Sequence, residues 1–274
     1  MSVPPALLAS EFSVWLQADA LSLDTNPAQA AEVLPRFAAG GVLGAGVAEE
    51  LGGNGGDVTD GVEAIAAVSE CSLAAGFVLW AHRTYIEFLL QSPNAAPREK
   101  LLPDLLADRV AGATGLSNAL KFLSGLEGLQ AAARTEADEF VLNGKLPWVT
   151  NLWPQGFHVV AAVAHEGGRG AFVASLAHDD PGLERSADID LMALRATNTA
   201  AVATFGVRID AGRIIHPDAN ASLPEARPAF LGLHCGMSIG LARRALNEAR
   251  CSLGVGRETL AEPVDDLAAA LADR

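Results

Sequence analysis

Basic charge, aromatic rings and cysteine are all scarce in this chain, and each scarcity excludes something. Lys and Arg together number 19 against 33 Asp and Glu, a formal net charge of −14. Nucleic acid is bound through basic patches, so it is excluded as a partner. An anionic ligand has to be met by a local group of backbone N–H donors and one or two Arg. The three cysteines, Cys71, Cys235 and Cys251, are odd in number and widely spaced. Without CxxC or zinc spacing they predict buried thiols in apolar helices, with no metal site and no disulfide. No apolar run is long enough to span a membrane without a charge or break, and Met1-Ser-Val-Pro-Pro has neither a basic nor an apolar leader region. A cytoplasmic protein with no membrane span is expected. Gly-x-Ser-x-Gly occurs once, as Gly236-Met-Ser-Ile-Gly240 inside a predicted helix rather than at a strand-to-helix turn, and with no Ser/His/Asp arrangement to assemble a hydrolase is set aside.

What remains is 50% hydrophobic residues with only 5% aromatics, the composition of a helix-rich, well-packed protein. Helical spacing predicts a helix over residues 10–21 with Ser10 as cap, and another over 27–39 behind Asn26-Pro27. Glu50 to Asp57 is glycine-dense, but its spacing fails the nucleotide-binding pattern, so it reads as a turn launching the next helix from Thr59 or Asp60. Helices follow over 62–79, over 80–90 with His82 near its start as a packed or capped histidine, and over 98–108. From about Ala111 the period shortens. Strands are predicted over 112–118, 129–133, 139–142, 148–151, 156–164, 171–176 and 200–209, a run without intervening helices that means an antiparallel sheet or barrel. Phe230–Leu253 reads as one long apolar helix with Arg243, Arg244 and Glu248 on its wet face, and 257–274 begins another. The expected class is α+β: an N-terminal helical domain (1–110), a middle β-domain (111–225) and a C-terminal helical segment (226–274).

Within the β-domain, Phe140-Val-Leu-Asn-Gly-Lys-Leu-Pro-Trp148-Val-Thr150-Asn151 carries the chemistry. Asn143-Gly144 suits a tight hairpin turn. Trp148 and Thr150, two apart in an extended chain, point to one face, where an indole can stack on a flat heteroaromatic ring while the hydroxyl bonds its heteroatom; the spacing alone equally suits a core Trp on a strand beside an ordinary Thr.

These pieces, in this order, resemble the acyl-CoA dehydrogenase family of flavoproteins. The matching segments are Glu50-Leu-Gly-Gly-Asn-Gly, the helix Arg98-Glu-Lys-Leu-Leu-Pro-Asp-Leu-Leu-Ala-Asp, the stretch Asn143-Gly-Lys-Leu-Pro-Trp-Val-Thr-Asn151, and Gly236-Met-Ser-Ile-Gly-Leu-Ala-Arg-Arg-Ala-Leu-Asn-Glu-Ala249. The resemblance implies FAD as cofactor, with Trp148 against the ring and the Thr150 hydroxyl near its reactive nitrogen. It implies that Ser117, Asn118 and Ser124 stand in the family's second flavin segment, with Ala119 and Gly125 where acidic residues are usual. It places Arg257 where an arginine reaches a neighbouring subunit's FAD in a homo-oligomer, a dimer or tetramer.

The family's reaction removes the α-proton of an acyl-CoA with a glutamate while the β-hydride goes to flavin. Most members carry that glutamate beyond the point where this chain stops, and others at the start of the long helix, here Phe230 and Leu231. Glu225, in a Pro-flanked loop, is the one candidate base, to be weighed against a solvated loop carboxylate. Half of the family's C-terminal bundle is also missing, leaving an apolar face on the long helix for an oligomer, a partner chain or a repacked last helix to cover. Three functions follow: α,β-dehydrogenation of an acyl-CoA, oxygen chemistry by a flavin monooxygenase, and a non-catalytic or partner-dependent relative with weakened flavin binding.

Overall fold

The computed structural model describes residues 8–168, 170–252 and 257–272, with residues 252 and 257–260 as backbone only. Five helices come first: α1 (Ser10–Thr25), α2 (Ala30–Ala39), α3 (Val58–Cys71), α4 (Leu73–Leu90) and α5 (Ala95–Leu106). The sheet strands are β1 (Ala111–Gly115), β2 (Ala131–Glu136), β3 (Glu139–Val149), β4 (Phe157–His165), β5 (Ala171–Ala177), β6 (Leu183–Arg185), β7 (Ala200–Ile209) and β8 (Ile214–His216). A short helix, α6 (Ser117–Leu123), lies between β1 and β2, and α7 (Ala219–Ser252) and α8 (Arg257–Ala272) close the chain. The order of helices, sheet and helices is the one expected. No described helix is long and apolar enough to cross a membrane.

Capping explains where the helices start. Asn26 accepts from the Ala28 amide at 3.1 Å, but it caps a single 3-10 turn, Pro27–Gln29, and the expected helix over 27–39 becomes α-helical only from Ala30, without a side-chain cap. Ser10 is not a cap; α1 starts after Ala9, without a side-chain cap. The cap of α3 is Asp57 rather than Thr59 or Asp60. Its carboxylate accepts from the Thr59 amide (2.8 Å) while Asp60 reaches back to the Asp57 amide (2.9 Å), a reciprocal box. The break expected between residues 79 and 80 falls at Ser72, which is extended and accepts from Ala75 N at 3.3 Å. His82 is therefore in mid-helix.

The sheet is mixed rather than antiparallel. Its order is β6-β7-β3-β2-β4-β5-β8. β1 and β2 both run parallel to β4 and share one of its edges, while β5 lies antiparallel on the other. The parallel pairs arise because the chain enters β1 from α5 and detours through α6, where a polar loop was expected.

Asn143-Gly144 is not a hairpin turn either. β3 runs straight through it, and the β2–β3 turn is Ala137-Asp138. The pair forms a bulge against β7, with the register shifted between Leu142 and Asn143. The Asn143 side chain accepts from the Gly206 amide at 2.9 Å. Glycine is required at 144 because a Cβ would lie 2.2 Å from the Gln130 carbonyl oxygen.

α7 begins eleven residues ahead of the expected start, and its inner face buries Leu223, Ala226, Phe230, Leu233 and Met237. Glycines on that face let it run against α3 almost backbone to backbone. A Cβ on Gly236 would sit 2.7 Å from the Val62 carbonyl oxygen, and one on Gly240 would sit 2.2 Å from that of Ala66. Arg243 is drawn off the expected wet face to pair with Glu63 on α3 at 2.5 and 2.9 Å. Cys235 and Cys251 are exposed and Cys71 is partly buried, so the buried-thiol expectation fails on α7. Leu231 and Leu241 are also exposed, as part of the apolar outer face.

The seam gives a direct stability prediction. Gly240→Ala should destabilise by about 1–3 kcal/mol, since neither backbone can yield cheaply. Gly232→Ala, whose Cβ meets nothing nearer than 3.7 Å, should be neutral or stabilising by up to about 1 kcal/mol. Denaturant melts that ranked the two variants equally would contradict the close approach.

Candidate functional site

Six non-glycine residues with positive φ occur among the described residues, and four of them lie in two short segments: Trp148 (58°) and Asn151 (67°), and Leu194 (60°) and Asn198 (47°). Asparagine tolerates this region. A bulky residue costs about 1–2 kcal/mol there, so Trp148 and Leu194 carry the strain. The two segments hold each other: Asn151 N donates to Thr197 O at 3.0 Å and Leu152 N to Asn198 O at 3.1 Å. Three further elements pin them. The Asn151 side-chain Nδ2 donates to Gly112 O on β1 (2.9 Å), the Leu194 backbone amide donates to Asp24 near the end of α1 (2.8 Å), and the Asn198 side chain donates to Ala30 O on α2 (3.4 Å).

Within this frame Thr150 is 3% exposed, bridged to Thr114 and hydrogen-bonded to Thr199 Oγ1 at 3.1 Å; Thr199 in turn meets Thr197 at 2.7 Å. Trp148 is 60% exposed. The same-face expectation for the pair fails because β3 loses register between Leu146 and Val149 and ends there, breaking the alternation. A ligand resting on Trp148 would meet a ring held out in solvent beside a sheltered hydroxyl array.

Ser117 and Asn118 come to the same place. The Ser117 hydroxyl donates to Pro147 O at 3.1 Å, directly before Trp148. Asn118 is buried, with its side chain committed to its own loop: it donates to Glu127 (2.7 Å) and Gly128 O (3.0 Å) and accepts from Gln130 N (2.8 Å). Ser124 ends α6 on the surface, donating to Leu120 O, beside Gly125 (φ 68°), around which an added Cβ would meet nothing within 4 Å. The Arg257 side chain lies outside the described residues. Glu225 is exposed but helical, inside α7 between Pro224 and Pro228, so the expected loop does not exist there.

Leu194 to Thr199 has no counterpart among the sequence-stretch candidates, although it completes the site. Its one visible signal is the polar run Arg195-Ala-Thr-Asn-Thr199 ahead of an alternating strand, with an asparagine suited to left-handed backbone.

Behind the site, α4 is locked to β1 by neutral histidine chemistry. His82 is fully buried, with Nε2 3.1 Å from Leu105 O and Nδ1 accepting from Gly112 N at 3.1 Å. The packed-histidine expectation holds. Burial, with Arg83 adding to it, pushes its pKa down to about 4. Burial and Arg213 hold His158 at about 4 as well, where its ring faces Ser175 and Tyr85. Tyr85 OH lies 2.6 Å from Ser175 Oγ, and burial raises its pKa.

Residues 14–109 match the acyl-CoA dehydrogenase N-terminal domain. The chain is similar to the acyl-CoA dehydrogenases. It is 25% identical over 242 residues to a probable acyl-CoA dehydrogenase of Bacillus subtilis, covering 84% of this chain and 61% of that protein. The butyryl-CoA dehydrogenase of Megasphaera elsdenii shares its fold at a TM-score of 0.79 and 19% identity, over 99% of this chain and 77% of that one. The fold is also that of a dibenzothiophene monooxygenase from a Paenibacillus, with TM-score 0.71, 16% identity and coverage of 88% and 62%. The chain spans from 41% to 61% of the length of the curated relatives it matches.

The two depressed histidines set a pH dependence for this acyl-CoA dehydrogenase fold. An unfolded histidine titrates near 6.5, so below that pH the unfolded chain takes up protons that folded His82 and His158 refuse. The stabilisation is complete above about pH 6.5 and is lost as pH falls towards 4, by up to about 1.4 kcal/mol per pH unit for each residue. Stability measured between pH 6.5 and 5 should fall, and His82→Asn should flatten the slope. An unchanged slope in that variant would show that His82 is not held neutral.

Proposed function

We propose that this chain is an FAD-dependent oxidoreductase of the acyl-CoA dehydrogenase type, acting on an acyl-CoA thioester or a related small molecule. The observation that carries this is Trp148: a strained, exposed indole two residues ahead of a buried threonine cluster, on the fold of a flavoprotein family. Strain of this kind persists where the surroundings over-determine it and marks functional segments. FAD bound there supplies a two-electron acceptor for a hydride leaving the acyl group.

The residues fit such a ring in kind. Trp148 offers a flat apolar face, Thr150 and Thr199 offer hydroxyls that turn to donate or accept, and Ser117 fixes the backbone ahead of the indole. Ser124 and the open ground around Gly125 leave room for a phosphate. Asn118 contributes by shaping the loop rather than by its side chain, and Arg257 by the resemblance alone. Leu231 and Leu241, exposed on α7, support a homo-oligomer or a partner chain that covers them, and a cytoplasmic location is part of the same reading by the resemblance alone.

Proton abstraction is the weak part. Phe230 and Leu231 are apolar, and Glu225 is solvated on the helix surface. That observation favours a second reading: oxygen chemistry of the monooxygenase kind, or a non-catalytic relative, neither of which needs a carboxylate base.

The test is the visible spectrum after adding FAD and desalting, then anaerobic addition of butyryl-CoA. A retained flavin band that bleaches supports the dehydrogenase; a band that stays coloured moves the assignment to the second reading. Trp148→Gly should lower flavin retention at least about tenfold while keeping or raising the melting temperature, because glycine removes the strain. A variant that melts early but takes up flavin normally would assign Trp148 to the core instead.

A further inference from the structure

Between Ser117 and Gln130 the chain carries one acid and one base, Glu127 and Lys121, and both meet at a single oxygen. Glu127 Oε1 accepts from Asn118 Nδ2 at 2.7 Å and lies 3.5 Å from Lys121 Nζ. Asn118 is buried, while the Lys121 side chain is 58% exposed and that of Glu127 is 34% exposed. A carboxylate oxygen is thus gripped by a fixed amide and an ammonium at the edge of solvent. The same pair of donors suits a phosphate oxygen. The spot adjoins the strained segment, because Ser117, one residue before Asn118, donates to Pro147 O ahead of Trp148.

Little else holds Glu127 in place. Asn118 stays anchored without it, through Gly128 O (3.0 Å) and Gln130 N (2.8 Å). The last backbone bond of the turn runs from Leu126 N to Lys121 O at 3.0 Å, and among the described residues the Glu127 and Gly128 amides find no acceptor. Those two N–H groups are further donors for an anion within the same turn. Gly125 and Gly128 bracket it, and a Cβ added to either would meet nothing within 4 Å, so the carboxylate has room to swing away. A solvent-exposed ion pair is weak, and a phosphate brings more charge to Lys121 than a carboxylate does.

We propose that Asn118 Nδ2 and Lys121 Nζ form a phosphate-oxygen site, and that Glu127 occupies it as an internal competitor until a phosphate-bearing ligand displaces it. This deepens the flavin reading above and rests on it only for which ligand arrives, since FAD and a CoA thioester both carry a pyrophosphate. Asn118 keeps its loop-shaping bonds and exchanges one, that to Glu127. Lys121 is then a ligand-binding residue and Glu127 a brake on affinity.

The experiment is calorimetric titration of the full chain, Glu127→Gln and Lys121→Met with FAD, riboflavin and CoA. Gln keeps an oxygen for Asn118 but loses the charge, so Glu127→Gln should fold normally and bind its pyrophosphate ligand about fivefold more tightly. Lys121→Met should bind it about fivefold more weakly, with a shallower loss as KCl is raised. Riboflavin, which has no phosphate, should bind all three proteins alike. The ranking seen with FAD assigns the site to the flavin, and the ranking seen with CoA alone assigns it to the thioester. Equal or weaker binding of both FAD and CoA by Glu127→Gln overturns the proposal and leaves the flavin reading standing wherever FAD still binds. A riboflavin response that follows the same ranking also overturns it, since the variants would then act on the ring site or the fold. If FAD and riboflavin bind none of the three proteins, the flavin reading falls and the CoA ranking alone decides the proposal. No binding of FAD or CoA to any of them overturns both.

Discussion

Two stretches of backbone, Trp148–Asn151 and Leu194–Asn198, hold each other in conformations neither would keep alone, and the rest of the molecule is arranged to keep them there. The mutual hydrogen bonds from Asn151 and Leu152 close the pair. Ties from Gly112, Asp24 and Ala30 then fasten it to β1, α1 and α2. The asparagines make the turn cheap, and the cost falls on Leu194 and Trp148. Leu194 is anchored on both sides by Asp24 and by the Thr197 hydroxyl. Trp148 projects its ring into solvent, which is a poor reason to strain a backbone unless something rests on it.

The scaffold behind this pair has two rigid contacts. One is His82, whose neutral ring joins α4, the end of α5 and β1 in a single bridge. The other is the glycine seam of α3 and α7, closed at its rim by the bidentate Arg243–Glu63 pair. Together they fix α4 between the sheet and α7. The strained pair is thus backed by helices rather than by loops, which favours precise placement.

Local chemistry made much of this legible in the sequence. Periodicity separates the helical ends from the β-rich middle, Asn26-Pro27 announces its cap, and the Trp-x-Thr spacing points to the right stretch. What escaped were choices made by distant partners. Asn143-Gly144 has the composition of a hairpin turn, yet Gly144 is needed because Gln130 passes 2.2 Å from where its Cβ would be. Glu225 between two prolines reads as loop, but both prolines sit near the start of a helix whose length is set by burial of Ala219, Leu223 and Ala226. The Leu194–Thr199 half of the site carries no motif at all, because its role comes from contact with a segment 46 residues away (Asn151 to Thr197).

The most direct measurement is a titration of FAD followed by tryptophan emission, comparing the unmodified chain with Trp148→Phe. Trp148 is the exposed indole, so it should supply the red-shifted part of the emission, and FAD should quench that part at one equivalent per chain. The quench should be missing in Trp148→Phe. Equal quenching in both proteins, or none in either, would contradict a flavin resting on Trp148.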